Sequence, residues 1–116
     1  MRRRTTRPDE GDLLGGTLDM LILRVLQLGS AHGFAIAEAI QRSSNDALLI
    51  EQGSLYPALH RLEERGWIMS SWGVSENNRR ARFYSLTSTG RKQLLAETHR
   101  WEILVRAVQR VMRPAQ

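Results

Sequence analysis

The stretch that most constrains this chain is residues 53–66, Gly-Ser-Leu-Tyr-Pro-Ala-Leu-His-Arg-Leu-Glu-Glu-Arg-Gly. Leu55, Ala58, Leu59 and Leu62 recur at spacings of three and four, the period of one buried helix face. Gly66 stands where a helix C-terminal glycine belongs. Pro57 limits where the helix can start. Beginning at Gly53 or Ser54 keeps the proline in or beside the first turn, where a missing N–H matters least. The spacing predicts a helix over 53–65 with Gly53, Pro57, His60, Arg61 and Glu64 on its outer face, flanked by Ser54 and Tyr56.

Beyond Gly66 the period changes from helical to alternating. Residues 68–74 read as a strand, 75–80 as a polar hairpin tip and 81–86 as the returning strand. In Arg82-Phe83-Tyr84-Ser85-Leu86 the alternation sets Phe83 opposite Arg82 and Tyr84, so one face packs on the core and the other looks outward. Upstream, Leu18, Leu21, Ile22, Val25 and Leu26 form a first helical stripe, with Thr17 as N-cap and Gly29 as terminator. Residues 30–33 read as a turn. A second short helix with Phe34, Ala37 and Ile40 on one face ends near Ser43-Ser44-Asn45, and residues 48–50 are an apolar connector or single strand. Thr87 caps a last helix that can run to Met112 before Pro114.

Helix, helix, helix, hairpin, long helix is the order of a winged helix with an appended C-terminal helix. With 116 residues there is room for one domain. The fold expected is mainly α with a small β-hairpin. It comprises a flexible basic tail over 1–16, a winged helix-turn-helix over 17–86 and a long C-terminal dimerisation helix over 87–113.

Charge narrows the function. Seventeen Lys and Arg against 12 Asp and Glu give a net charge of +5. Lys92 is the only lysine, and arginine forks phosphates and guanine edges where lysine offers a point charge. A solvated basic surface would share this composition. A helix entering the major groove needs hydrogen-bonding groups near its N-terminus, and Gln52, Ser54, Tyr56 and His60 supply them beside Pro57, with Arg61 placed to clamp phosphate. The hairpin tip crowds Asn78, Arg79, Arg80 and Arg82, a self-repelling cluster that a polyanion would relieve. Double-stranded DNA is the partner this pattern implies. The tail arginines Arg2, Arg3, Arg4 and Arg7 are suited to tracking phosphate or entering a minor groove, or to solubilising the chain.

The last helix carries Leu94, Thr98, Trp101, Val105, Val108 and Met112 at alternating spacings, with Leu104 and Val111 beside the seam. A helix of roughly 26 residues is roughly 39 Å long. The three-helix core cannot cover all of this stripe, so Leu94, Trp101, Leu104, Val105, Val108 and Met112 are expected to meet a second copy. Packing against the first helix would use part of it.

Other chemistries find little support. There is no cysteine, which excludes disulfides and thiolate metal sites and fits a reducing cytoplasm. His32, His60 and His99 lack metal-ligand spacing, no phosphate-binding glycine loop occurs, and no nucleophile is singled out. No catalytic residue, metal or cofactor is expected. The apolar run 18–28 is interrupted by Asp19, Arg24 and Gln27, and no secretion signal follows the basic start, so neither a membrane span nor export is expected.

Residues 53–63, Gly-Ser-Leu-Tyr-Pro-Ala-Leu-His-Arg-Leu-Glu, resemble the hallmark of PadR-type transcriptional regulators. Gly-Thr-Leu-Asp-Met-Leu-Ile-Leu at 16–23, His32-Gly33-Phe34 and Arg-Phe-Tyr-Ser-Leu-Thr at 82–87 resemble that family's other blocks in the same order. Residues 72–80 resemble its short acidobacterial branch, often encoded beside permease genes. The resemblance implies a homodimeric repressor of its own gene or a transport operon, binding a palindromic operator through the third helix and the wing. It also offers Trp101 as a contact for a flat aromatic effector, or as an interface core residue. The C-terminal part here is one helix, shorter than in some members. Two other readings stay open: a winged-helix protein–protein module whose basic tip docks on an acidic partner, and a small-molecule sensor whose DNA binding is secondary.

Overall fold

The computed structural model describes residues 8–114, with side chains from residue 16 onward. Four helices and three strands follow in the order α1 (Pro8–Gln27), β1 (Ala31–His32), α2 (Gly33–Ser43), α3 (Gln52–Glu64), β2 (Ile68–Val74), β3 (Arg80–Leu86) and α4 (Ser88–Met112). This is a mainly helical winged-helix fold with a small antiparallel sheet and a long C-terminal helix.

The expected start of α1 at Thr17 is corrected: the helix begins at Pro8. Proline at a first helical position presets φ. Gly11, Gly15 and Gly16 give this stretch no apolar period, so periodicity missed it. The tail arginines 2–7 lie outside the described residues. The turn expected at 30–33 contains a two-residue strand, β1, whose Ala31 and His32 pair with Tyr84 and Phe83. A strand so short has no period to read and forms because β3 offers it a ladder. The sheet order is β1-β3-β2.

In α2 the inward residues are Gly33, Ile36 and Ile40, whereas Phe34 is 64% exposed, against expectation. Ile36 and Ile40 are one turn apart and set the face, which turns Phe34 outward. The connector 48–50 forms no strand. Asn45 and Asp46 at φ 53° and 67° end α2, and the chain crosses to α3 with Leu48 and Ile50 half-buried against the core.

Helix α3 buries Leu55, Ala58, Leu59 and Leu62, the stripe read from the sequence. Gly66, at φ 77°, closes it: its N–H donates to the Glu63 carbonyl at 3.0 Å, and that of Trp67 to the Leu62 carbonyl at 3.1 Å. This pair of bonds satisfies carbonyls the helix end would otherwise leave open. Because α3 starts at Gln52, Pro57 sits in the second turn, deeper than expected, and cannot donate to the Gly53 carbonyl.

The core gathers Ile22 and Leu23 from α1, Ile36 from α2, Leu55, Leu59 and Leu62 from α3, and Ile68 from β2, all fully buried. Each contributes about 1.5–3 kcal/mol of burial free energy. Tyr84 and Leu86 bring the inner face of β3 onto it, while Phe83 faces the other way and meets His32 edge-on at 5.4 Å. Thr87 seats α4, accepting from the Gly90 N–H at 3.0 Å and donating to the Gly66 carbonyl at 2.7 Å. Past Leu94 the helix leaves the core. The radius of gyration of 16.1 Å exceeds the about 13 Å of a compact chain this long.

Candidate nucleic-acid interface

The outer face of α3 carries Gln52, Gly53, Ser54, Tyr56, Pro57 and His60, all exposed because the leucine stripe fixes the helix from behind. Tyr56 is held from one side by α2. A methyl group added at Gly33 would lie 2.8 Å from the Tyr56 hydroxyl and 2.9 Å from its ring. A larger side chain at 33 would push the ring aside, so the glycine lets it close over the start of α2 and couples two residues 23 positions apart into one feature. His60 faces Glu64 one turn on at 3.3 Å, both in solvent.

Arg61 is placed differently from expectation. Its Nη2 donates to Asp19 Oδ1 at 2.6 Å and its Nε to Asp19 Oδ2 at 3.4 Å, with the Asp19 side chain only 12% exposed. A two-point pair of this kind occupies the guanidinium's donor edge. Arg61 therefore ties α3 to α1 through Nε and Nη2, and its side chain remains 39% exposed. Asp19, a charge set among the leucines of the first stripe, was the signal that could have found this pair.

Arg82 is likewise engaged. Its Nη2 donates to Glu63 Oε2 at 3.1 Å and to the Ser70 hydroxyl, which itself donates to Glu63 at 2.7 Å. This network joins α3, β2 and β3 and sets the angle between helix and wing. Tyr84 lies beneath it. Burial pushes its phenol above the ordinary tyrosine value, with the Arg82 cation opposing and the Glu63 charge adding to the shift. Tyr56, His60, Glu63, Glu64, Arg82 and Tyr84 border an open groove of about 500 Å³ between helix and wing.

At the wing tip the Asn78 N–H donates to the Ser75 carbonyl and the Ser75 N–H to the Arg79 carbonyl, each at 2.8 Å. Asn78 takes the left-handed conformation, φ 61°, that this three-residue hairpin loop requires and that asparagine tolerates. Asn78, Arg79 and Arg80 are exposed. Trp72 is 58% exposed and carries the Arg80 guanidinium 4.5 Å from its ring centroid and that of Arg82 at 5.8 Å. Its cross-strand partner is Arg82.

The residues assigned to a dimer divide in two. Leu94 is 4% exposed in the chain's own core, which corrects its place on an intermolecular surface. Trp101, Leu104, Val108 and Met112 stand uncovered, with Val105 half-buried among them. Among the described residues, no group of His, Asp and Glu could hold a metal ion, and no helix is long and apolar enough to cross a membrane.

Residues 22–96 match the model of the transcriptional regulator PadR-like family, a stretch that includes α2, α3 and the whole wing. The chain belongs to that family. A transcriptional regulator of Clostridium thermocellum has a similar structure, with a TM-score of 0.80 and 28% identity over 88% of this chain and 99% of that one. A PadR-family regulator of Eggerthella lenta superposes with a TM-score of 0.73 at 28% identity, covering 90% of this chain and 88% of the other. By sequence, an uncharacterised protein of Lysinibacillus sphaericus is 28% identical over 90 residues, 78% of this chain and 83% of its own length. A 37.1 kDa protein of a Streptomyces fradiae transposon is 40% identical over 80 residues, but these are only 21% of its length. This PadR-family chain is thus a DNA-binding transcriptional regulator, and regulators of this kind are not enzymes.

Proposed function

We propose that this PadR-family protein is a homodimeric repressor that binds a palindromic operator near its own gene or a neighbouring transport operon. The observation that carries this reading is that the polar face of α3 and the arginine wing border one groove and are locked together through Glu63 and Arg82. Gln52, Ser54, Tyr56 and His60 read base edges, and Arg79 and Arg80 meet phosphate with Asn78 shaping the tip. The N-terminal arginines, if they join, add phosphate contacts.

Dimerisation is supported by the uncovered apolar face of α4. Trp101, Leu104, Val105, Val108 and Met112 fall on one side of a helix that outruns its own core. A second copy of the same helix is the natural lid, and a two-fold protein presents two α3 helices to two half-sites. Trp101, near the middle of α4 and at the start of that surface, is the candidate contact for a planar aromatic effector that would shift the angle between halves. We place the protein's action in the cytoplasm, with the winged helix ending at residue 86 and the dimerisation helix over 87–113.

A labelled fragment from upstream of the gene, titrated at two salt concentrations against a scrambled fragment, tests the reading. Preference for the upstream fragment with a steep salt response is expected. Equal affinity for both fragments, or a flat salt response, contradicts it.

A further inference from the structure

Arg80 and Arg82 leave the same strand on the same side, yet they are ordered by opposite means. Glu63 and Ser70 hold Arg82 by its N–H edge, so those donors are spent inside the protein. Trp72 holds Arg80 over its ring, with 4.5 Å from ring centroid to guanidinium carbon, and among the described residues Arg80 has no carboxylate in ion-pair reach. A guanidinium's five donors lie in its plane and point outward from the rim. A contact with an aromatic ring holds the group without pairing its donors to a carboxylate, which leaves them for a phosphate.

We propose that Trp72 is a positioning residue for the DNA interface, presenting the Arg80 guanidinium pre-ordered to a backbone phosphate. The indole is 58% exposed and lies outside the buried core, so its size is not required by packing. Its neighbour on the same strand face towards the tip, Val74, is 63% exposed and pairs with Arg80 across the ladder, leaving Trp72 as the large surface on which the arginine rests. A long side chain loses rotamer freedom on binding, and stacking removes part of that loss beforehand. The inference rests on the reading of the wing as a phosphate contact and adds how that contact is prepared.

The test uses Trp72→Leu, Trp72→Phe, Arg80→Ala and the Trp72→Leu/Arg80→Ala double variant, titrated on a labelled random-sequence duplex over a range of salt. Trp72→Leu is expected to weaken binding about two- to fivefold, the range of an exposed cation–π contact. Trp72→Phe, which keeps a ring, should retain most of the affinity. The salt slope should stay near the parent value in both, because Arg80 still reaches phosphate, whereas Arg80→Ala lowers it by about one. In the Arg80→Ala background, Trp72→Leu should have no further effect. Equal weakening by Trp72→Leu with and without Arg80, or no weakening while Arg80→Ala is effective, overturns the positioning role and leaves the wing reading standing. An Arg80→Ala variant that binds like the parent overturns both.

Discussion

Arg61 on α3 and Arg80 on the wing are the same residue type in opposite settings. Arg61 turns back to a largely buried carboxylate on α1, while Arg80 rests on an exposed indole with no carboxylate partner among the described residues. The contrast extends to the elements that carry them. Helix α3 is fixed from behind by its leucines and Arg61, and shows solvent short or uncharged groups such as Ser54 and Tyr56. The wing touches the core only at its root and keeps unneutralised charge near its tip. One region is built for a fixed geometry, which reading bases needs. The other is built for charge, which affinity for any phosphate backbone needs.

The largest effect expected from this division is on stability. Arg61→Ala strands the Asp19 carboxylate inside the fold, at a cost of about 2 kcal/mol after allowing for the partial exposure of the arginine, or about 10 °C in Tm. Thermal unfolding followed by circular dichroism measures this, and the salt slope of DNA binding should not move. A lowered slope at parental stability would return Arg61 to the phosphate-clamp role. Gly33→Ala comes next. The added methyl displaces the Tyr56 ring, and binding to the cognate operator should fall by about 1 kcal/mol, the low end of a base contact, with random-sequence binding unchanged. Parental affinity on both would mean Tyr56 needs no support from α2.

The smallest effect belongs to the joint between the regions. The buried Tyr84 phenol has its pKa raised, so the folded state holds this proton more tightly than the unfolded chain. Its contribution is fully present below the ordinary tyrosine pKa of about 10 and is lost as pH rises through the folded value. Denaturant titrations should show stability declining above about pH 10, and less steeply in Tyr84→Phe. Identical slopes in parent and variant would contradict the shift.

How much of this was legible follows from where a residue's setting is local. The stripe of α3, the closing glycine and the Thr87 cap declare themselves within one or two turns of sequence. The two-residue β1 had no period of its own and exists only because β3 runs past it. The outward turn of Phe34 was missed because Ile36, which sets the face, lies two residues further on. Among the site residues, exposure on α3 followed from the opposite stripe. The engagement of Arg61 and Arg82 did not, since their carboxylates come from residues 42 and 19 positions away. Leu94 and Trp101 share one stripe, and only the end of the core between them separates an internal contact from an uncovered one.

The central claim is that α3 carries selectivity and the wing carries affinity. It is tested most directly by measuring, at one salt concentration, the ratio of cognate to random-sequence affinity for the parent, Tyr56→Ala and Arg80→Ala. The account predicts that Tyr56→Ala lowers the ratio by about 1–3 kcal/mol with little change on random DNA. Arg80→Ala should lower both affinities together and leave the ratio intact. Equal changes in the ratio from the two variants, or the reverse assignment, would contradict it.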